Sequence, residues 1–387
     1  MNKKQENKTV IKFSFWGSQS ETALLYPLID EFEKENPDIK IEKMHIAQNY
    51  FSKLHLLFAS KLAPDVVFLN NYYAPKYIKA GLLVDLSPYI DKNKYFDKSL
   101  TGFTSKGKIY AIPRDVSDMV VYYNKDLFDR YNVKYPKSDW TLDDYLATAK
   151  AFKNAGVWGC SFETDLFYWL PFLLSNNASV MNKNGEIVIN SPKAIDSIQF
   201  YADLPNKYHV APQKSDIGSL TLAQLFLQQK LAMQISGRWL VPKYRKDANF
   251  NWDIVSFPKG TKGSVVNIDS SGYALSSSCK NKKAAMKFIN FISSEKSLKK
   301  LTQSGLIVPA RKDVAYSSVF LDQSKKPLNS IAFVETVQHG EATNVNSNYQ
   351  QIADILNIAL EPVFLGREKA SQVIDAKLLI DLSRYAY

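Results

Sequence analysis

An apolar run from Leu231 to Ile235 ends in Ser236-Gly237-Arg238-Trp239, which places a guanidinium and a wide flat ring at the end of a predicted buried strand. A ring exposed there would stack on a sugar, a nucleobase or a methylated cation, and the guanidinium would pair with carboxylate or phosphate oxygens. Ligands gather at strand ends of this kind in parallel sheets. A lone Trp is more often a core residue, so the argument needs recurrence. It recurs: Trp16-Gly17-Ser18 closes a run that includes Val10, Phe13 and Phe15, and Asn70-Asn71-Tyr72-Tyr73 closes Pro64-Asp-Val-Val-Phe-Leu69. Phe167, Tyr168 and Trp169 follow a Gly159-Cys160-Ser161 strand, in a run apolar enough to be core as readily as cleft.

Few residues are spaced for catalysis. Asp115 with Asp118 and Glu163 with Asp165 are the tight acidic pairs near these segments. A glycoside hydrolase or lyase would need two carboxylates about 5 to 10 Å apart across the scissile bond. Both pairs suit hydrogen bonding or solvation better, so a carbohydrate-active enzyme is the weaker reading. The four histidines, His45, His55, His209 and His339, show no metal-ligand spacing, and Cys160 and Cys279 belong to no CxxC motif. Neither GxxxxGK[ST] nor GxGxxG occurs, so no nucleotide cofactor and no metal is expected.

The elements that position these residues alternate. Ser18-x-x-Glu21 forms a capping box ahead of Leu24, Leu25, Leu28, Ile29 and Phe32 at helical spacing, and Asn36-Pro37 stops that helix. Ile39-Lys-Ile41 resumes a strand, completing a βαβ unit. Thr141-x-x-Asp144 caps a second helix carrying Leu142, Tyr145, Leu146 and Phe152. Strands are predicted over Lys108 to Pro113 and Met119 to Tyr123, with a connection between them, and again over Trp252 to Phe257 and Ser270 to Ser276. Ala284 to Ile292 and the tail from Gln350 read as amphipathic helices.

The chain has 387 residues, long enough for two or three units with real cores, and is 45% apolar and 22% charged, as globular chains are. Forty-nine Lys and Arg against 38 Asp and Glu give a net charge of +11. No Arg-rich stripe interleaved with aromatics accompanies that charge, so nucleic acid is not an expected partner, and an anionic cell envelope is. Met1 to Lys8 opens like the basic region of a signal peptide, but no apolar stretch follows and no run of about 18 apolar residues occurs. Two expectations fit: a cytoplasmic protein, or one whose secretion signal has been removed.

Taken in order, several segments resemble the family 1 extracellular solute-binding proteins of ABC importers, particularly the carbohydrate-binding members. They are Phe32-Glu-Lys-Glu-Asn-Pro-Asp-Ile39, Pro64-Asp-Val-Val67, Ala80-Gly-Leu-Leu83, Tyr122-Tyr-Asn-Lys-Asp-Leu-Phe128, Trp140-Thr141, Ala232 to Trp239, Phe257-Pro-Lys-Gly260 and Ile307-Val-Pro-Ala-Arg311. The resemblance covers about Ile11 to Arg311. It implies an α/β, two-lobe periplasmic-binding-protein-like fold with a hinge and an interlobe ligand cleft. The lobes would comprise about residues 1–113 plus 269–318 and about 114–268 plus 319–387, with hinge candidates at Pro113 to Val116, Asn267 to Ser271 and a loop near Asp313 to Lys326. It further implies a monomeric, non-enzymatic receptor outside the cell, held at the membrane as a lipoprotein, that delivers a carbohydrate ligand to the permease subunits of an ABC importer.

By position, the resemblance assigns ligand contacts to Trp16, Ser18, Asn70, Asn71, Asp118, Tyr168, Trp169, Arg238, Trp239, Ser271, Gly272 and Arg311. Rings meet the C–H faces of a sugar while the polar groups meet its hydroxyls. Many relatives carry a carboxylate after the Pro-Asp-Val-Val strand where this chain has Asn70 and Asn71, which shifts the charged-acceptor role to Asp118 or Asp269. Arg114, Arg238 and Arg311 keep open a second ligand class, an acidic sugar or glycerophosphodiester.

Overall fold

The structure is a computed structural model and describes residues 8–386, so residues 1–7, most of the stretch read above as opening like the basic region of a signal peptide, lie outside it. In chain order the strands are β1 (Thr9–Phe15), β2 (Ile39–His45), β3 (Val66–Asn70), β4 (Thr104–Ser105), β5 (Lys108–Ile109), β6 (Ile112–Ser117), β7 (Val120–Asn124), β8 (Trp158–Cys160), β9 (Leu231–Ser236), β10 (Trp252–Ser256), β11 (Asn267–Leu275), β12 (Val308–Pro309) and β13 (Glu341–Ala342). The chain divides into two compact units. The first runs to Val116 and resumes over Asp269–Phe320; the second comprises Ser117–Ile268 and continues from Leu321.

In the first unit β1 runs parallel to both β2 and β3, while β11 lies antiparallel to β3 with Ser271 opposite Asn70. The order β12-β6-β11-β3-β1-β2 puts β3 and β11 at the centre of the sheet. The capping box read from Ser18 and Glu21 is present: the Ser18 side chain accepts from the Glu21 amide and the Glu21 carboxylate accepts from the Ser18 amide. It opens the helix Gln19–Glu35, whose Leu25, Leu28, Ile29 and Phe32 are buried. That stripe against the sheet supplies the driving force, because each such side chain stabilises the fold by about 2 kcal/mol on burial.

One segment differs from expectation. Pro113-Arg-Asp-Val-Ser117, read as a connection, belongs to β6, where Asp115 and Val116 pair with Pro309 and Val308. Its Pro and alternating charges hid the strand; the pairing comes from β12, almost two hundred residues away, and not from local propensity.

The second unit is built on the sheet β10-β7-β9-β8, antiparallel except between β8 and β9. Every residue of β9 is buried, as expected of a central strand covered on both faces. The helices Leu166–Ser175, Pro192–Asn206 and Tyr349–Ala359 pack together on this unit. Their aromatic core joins Phe172 to Tyr201 at 4.8 Å and to Phe257 at 5.0 Å between ring centroids. The Thr141 and Asp144 capping box is also present, opening the helix Leu142–Ala151.

Candidate functional site

Strand β9 leaves the second unit's core at Gly237, whose backbone is extended, and the chain turns through Arg238–Leu240. The two side chains after the glycine take different environments. The Trp239 ring folds back over Gly237: a Cβ built on the glycine would lie 2.0 Å from Trp239 Cζ3, so any larger residue would displace the ring. Trp239 is half-buried, 5.9 Å from the Phe167 ring, and lines a groove of about 790 Å³. The Tyr122 hydroxyl donates to the Gly237 carbonyl at 2.8 Å and holds the turn.

Arg238 is only 3% exposed, its guanidinium 5.1 Å over the Phe333 ring, and it does not line the groove. Burial pushes its pKa below the ordinary arginine value, against the opposing effect of Tyr122 and Asp118. Asp118 is fully buried, and neither carboxyl oxygen has a hydrogen-bond partner among the described residues. Burial raises its pKa well above the carboxylate range, and the Arg238 charge only partly counters this. Asp118 and Arg238 therefore form a desolvated, loosely coupled pair behind the turn.

Opposite Trp239 the groove is lined by the segment after β8 and the start of the helix Leu166–Ser175. The backbone of Glu163 is pinned by Tyr201, whose hydroxyl accepts from the Glu163 amide at 2.9 Å and donates to its carbonyl at 2.7 Å. Burial, reinforced by Asp165, raises the Glu163 carboxyl to about 7, while the Tyr168 hydroxyl and Lys214 pull the other way. Near neutrality this group can therefore donate as well as accept. Asp165 caps the helix by accepting from the Phe167 amide at 3.0 Å, and Asn357 accepts from the Leu166 amide at 3.1 Å. Tyr168 lines the groove beside them.

Trp169, assigned above to ligand contact, is instead a core residue, fully buried 6.1 Å from the Phe364 ring. The helix it sits on is covered on more than one side, and successive residues 100° apart cannot all face one groove. Gln213, Lys214, Asn357 and Glu361 also line the groove and were not read from the sequence. The weak available signal was the polar pair Asn357 and Glu361 interrupting an apolar helical tail.

The first unit carries a separate cluster at the ends of β1, β3, β6 and β11. Trp16 is half-buried and stacks on Phe68 at 4.2 Å, and the Arg114 guanidinium lies 4.2 Å over the same ring. Arg114 pairs with Asp115, whose carboxyl is nonetheless raised by burial. Asn71 is buried: it donates to Asp269 at 2.9 Å and accepts from the Ser270 amide at 3.1 Å. The Tyr72 hydroxyl donates to the other Asp269 oxygen at 2.5 Å. Asp269, one of the two charged acceptors expected for the ligand, is thus engaged inside its own unit. The Asn70 side chain accepts from the Tyr73 amide at 3.2 Å, and Ser18 serves as the helix cap. Ser271 is half-buried beside Gly272, which lies so close to β6 that a Cβ would meet the Ile112 carbonyl oxygen at 2.5 Å. Arg311 forms an ion pair with Asp313 and lies 6.0 Å over Tyr95.

No group of three or more His, Cys, Asp or Glu among the described residues could hold a metal ion, and Cys160 and Cys279 are both free and buried. Both units thus pair half-buried rings with hydrogen-bonding groups, an arrangement fitted to a flat-faced, hydroxyl-bearing ligand.

Residues 16–299 match the family model of bacterial extracellular solute-binding proteins. The arabinooligosaccharide-binding protein of Bacillus subtilis is 26% identical over 376 residues, covering 92% of this chain and 83% of that protein. An ABC substrate-binding protein of Listeria monocytogenes, solved in complex with cycloalternan, is similar with a TM-score of 0.89 at 28% identity, covering 97% of this chain and 98% of that one. A receptor of Streptomyces glaucescens, solved unliganded and with acarbose, shares the fold with a TM-score of 0.87 at 19% identity, covering 98% of both chains. With the family model spanning well over half of its length, and with the two-unit α/β architecture of those structures, this chain belongs to the bacterial extracellular solute-binding proteins.

Proposed function

We propose that this protein captures an oligosaccharide outside the cell and delivers it to the permease of an ABC importer. The observation that carries this reading is Trp239, an aromatic plate set against Glu163 and Tyr168 in one groove. Relatives named for binding arabinooligosaccharides and galactooligosaccharides, and a similar structure holding cycloalternan, support a sugar ligand. The charges in the groove favour a neutral one. Glu163, Asp165 and Glu361 line it against Lys214 and Lys243, and no arginine does. An acidic sugar or glycerophosphodiester would meet three carboxyl groups there, and Arg238 is turned away from it.

The contacts that support this role are Trp239 and Tyr168 in the second unit, with Trp16, Ser271 and the Arg114–Asp115 pair as a second surface of similar chemistry in the first. The protein acts as a receptor without turnover. No described helix is long and apolar enough to cross a membrane; the lipoprotein anchoring proposed for this receptor rests on its resemblance to the solute-binding family.

A thermal-shift screen tests the reading with neutral oligosaccharides in one arm and glucuronides and glycerophosphodiesters in the other. At a ligand concentration one hundred times Kd, binding stabilises by about 2.7 kcal/mol, a shift of several degrees for a protein of this size. Stabilisation by a neutral oligosaccharide that is recovered intact supports the proposal. A response confined to the acidic arm, or conversion of the sugar to product, overturns it.

A further inference from the structure

A cavity of about 550 Å³ on the first unit lies at the amino ends of β1 and β2, where it is lined by Thr9, Ile39 and the segment Lys280 to Lys287. Lys280, Lys282, Lys283 and Lys287 all line it, all are exposed, and none makes an ion pair among the described residues. Asp38 is the one acidic group on its wall. Several other lysines on this unit are neutralised by a neighbouring carboxylate. Lys296 and Lys300 pair with Glu31, Lys299 with Glu295 and Lys40 with Glu33. The cluster therefore sets four lysines against one carboxylate, Asp38, and is a concentrated positive field.

Its place in the fold gives the field a direction. Strands β1 and β2 run parallel, from Thr9 and Ile39 at this cavity to Phe15 and His45 at the other end, where Trp16 follows. Seven residues of strand separate the two ends by about 20 Å, so a surface covering the lysines leaves the Trp16 end uncovered. Strand β1 also enters the fold at this face, and the exposed Lys8 just ahead of it adds a further positive charge there.

We propose that the lysine face of the first unit docks the protein on an anionic phospholipid bilayer, with the amino ends of β1 and β2 toward the lipid. Charge complementarity selects the partner: unpaired lysines near an anionic leaflet each add attraction, which falls off within a Debye length. The docking is independent of which sugar the protein carries. Its failure would leave the proposed ligand class untouched.

Sedimentation of the full chain with vesicles at low ionic strength tests this, using equimolar phosphatidylglycerol and phosphatidylcholine against phosphatidylcholine alone. The partition coefficient onto the anionic vesicles should be at least about tenfold higher and should fall as salt is added. The variant K280E/K282E/K283E/K287E should lose that preference. A variant with the same change in net charge on the second unit, K134E/K137E/K150E/K153E, should keep most of it. Replacing the four cavity lysines by Gln gives a milder version should the Glu variant fold poorly, and it should lose partition in the same direction. Equal loss in the control variant, undiminished binding by the cavity variants, or no preference for anionic vesicles would overturn the proposal. Retention on polyglycerol phosphate without retention on vesicles would overturn it too, in favour of a wall polymer as the partner.

Discussion

Replacing Gly237 by Ala isolates the position of the Trp239 ring from its presence. The glycine backbone is extended, so Ala meets no backbone strain there, and the substitution acts only through its Cβ. That atom would fall 2.0 Å from Cζ3 and 2.5 Å from Cε3 and Cη2 of Trp239. All three belong to the far end of one side chain, so the ring swings away and the strand stays. The Tyr122 hydroxyl bond to the Gly237 carbonyl is unaffected by the added methyl, so the turn keeps its tether. Because Trp239 is half-buried already, the stability loss should be about 1 kcal/mol or less. Binding should suffer more: an aromatic pair contributes about 0.5 to 1.5 kcal/mol beyond area burial, and losing the plate raises Kd by about two- to thirteenfold. Titration calorimetry with the best oligosaccharide from the thermal screen measures this, with Trp239→Ala alongside. Wild-type affinity in Gly237→Ala with weakened binding in Trp239→Ala would show that the ring need not sit over the strand end. Wild-type affinity in both would refute the role given to Trp239.

Two further outcomes follow from the packing. The Glu163 carboxyl is raised from 4.5 to about 7, so the folded state binds this proton more tightly than the unfolded chain does; the stability this brings is complete below pH 4.5 and lost as pH rises through 7. Between those limits Glu163→Gln should flatten the fall in stability by about 1 to 2 kcal/mol, allowing for the partial exposure of Glu163; urea unfolding at pH 5 and pH 8 with the same slope as wild type would contradict the burial argument. Gly272→Ala sets its Cβ 2.5 Å from the Ile112 carbonyl oxygen and 2.9 Å from the Pro113 Cα, and backbone cannot swing aside as Trp239 can. The strands must part, at a cost of about 2 kcal/mol and a Tm lower by about 5 °C; calorimetry showing a loss under about 1 °C would mean that β6 and β11 separate freely.

What could be read in advance was local. Both capping boxes, the helix stopped at Asn36-Pro37 and the strand ending at Gly237 depend on residues within a few positions of one another, where side chain to backbone hydrogen bonds and steric limits act directly. Such signals indicated alternating helices and strands, while the solute-binding fold was implied by the resemblance of collinear segments such as Pro64-Asp-Val-Val67 and Ala232 to Trp239 to that family. Strand β6 was missed because its partner β12 lies far along the chain, and a Pro with flanking charges reads as a connection when no partner is in view.

The site divides along the same line. Sequence alone determined that a glycine, an arginine and a tryptophan follow a buried strand; tertiary structure decided that the ring lies on the groove while the guanidinium packs at Phe333. It also decided that Trp169 is core, that Asp269 is engaged by Asn71 from 198 positions away, and that Asn357 joins Asp165 and Glu163 across nearly as many. The reason is desolvation. Whether a polar or aromatic group is available to a ligand depends on which distant segments exclude water from it and which of their atoms replace that water, and neither is encoded in its own few neighbours.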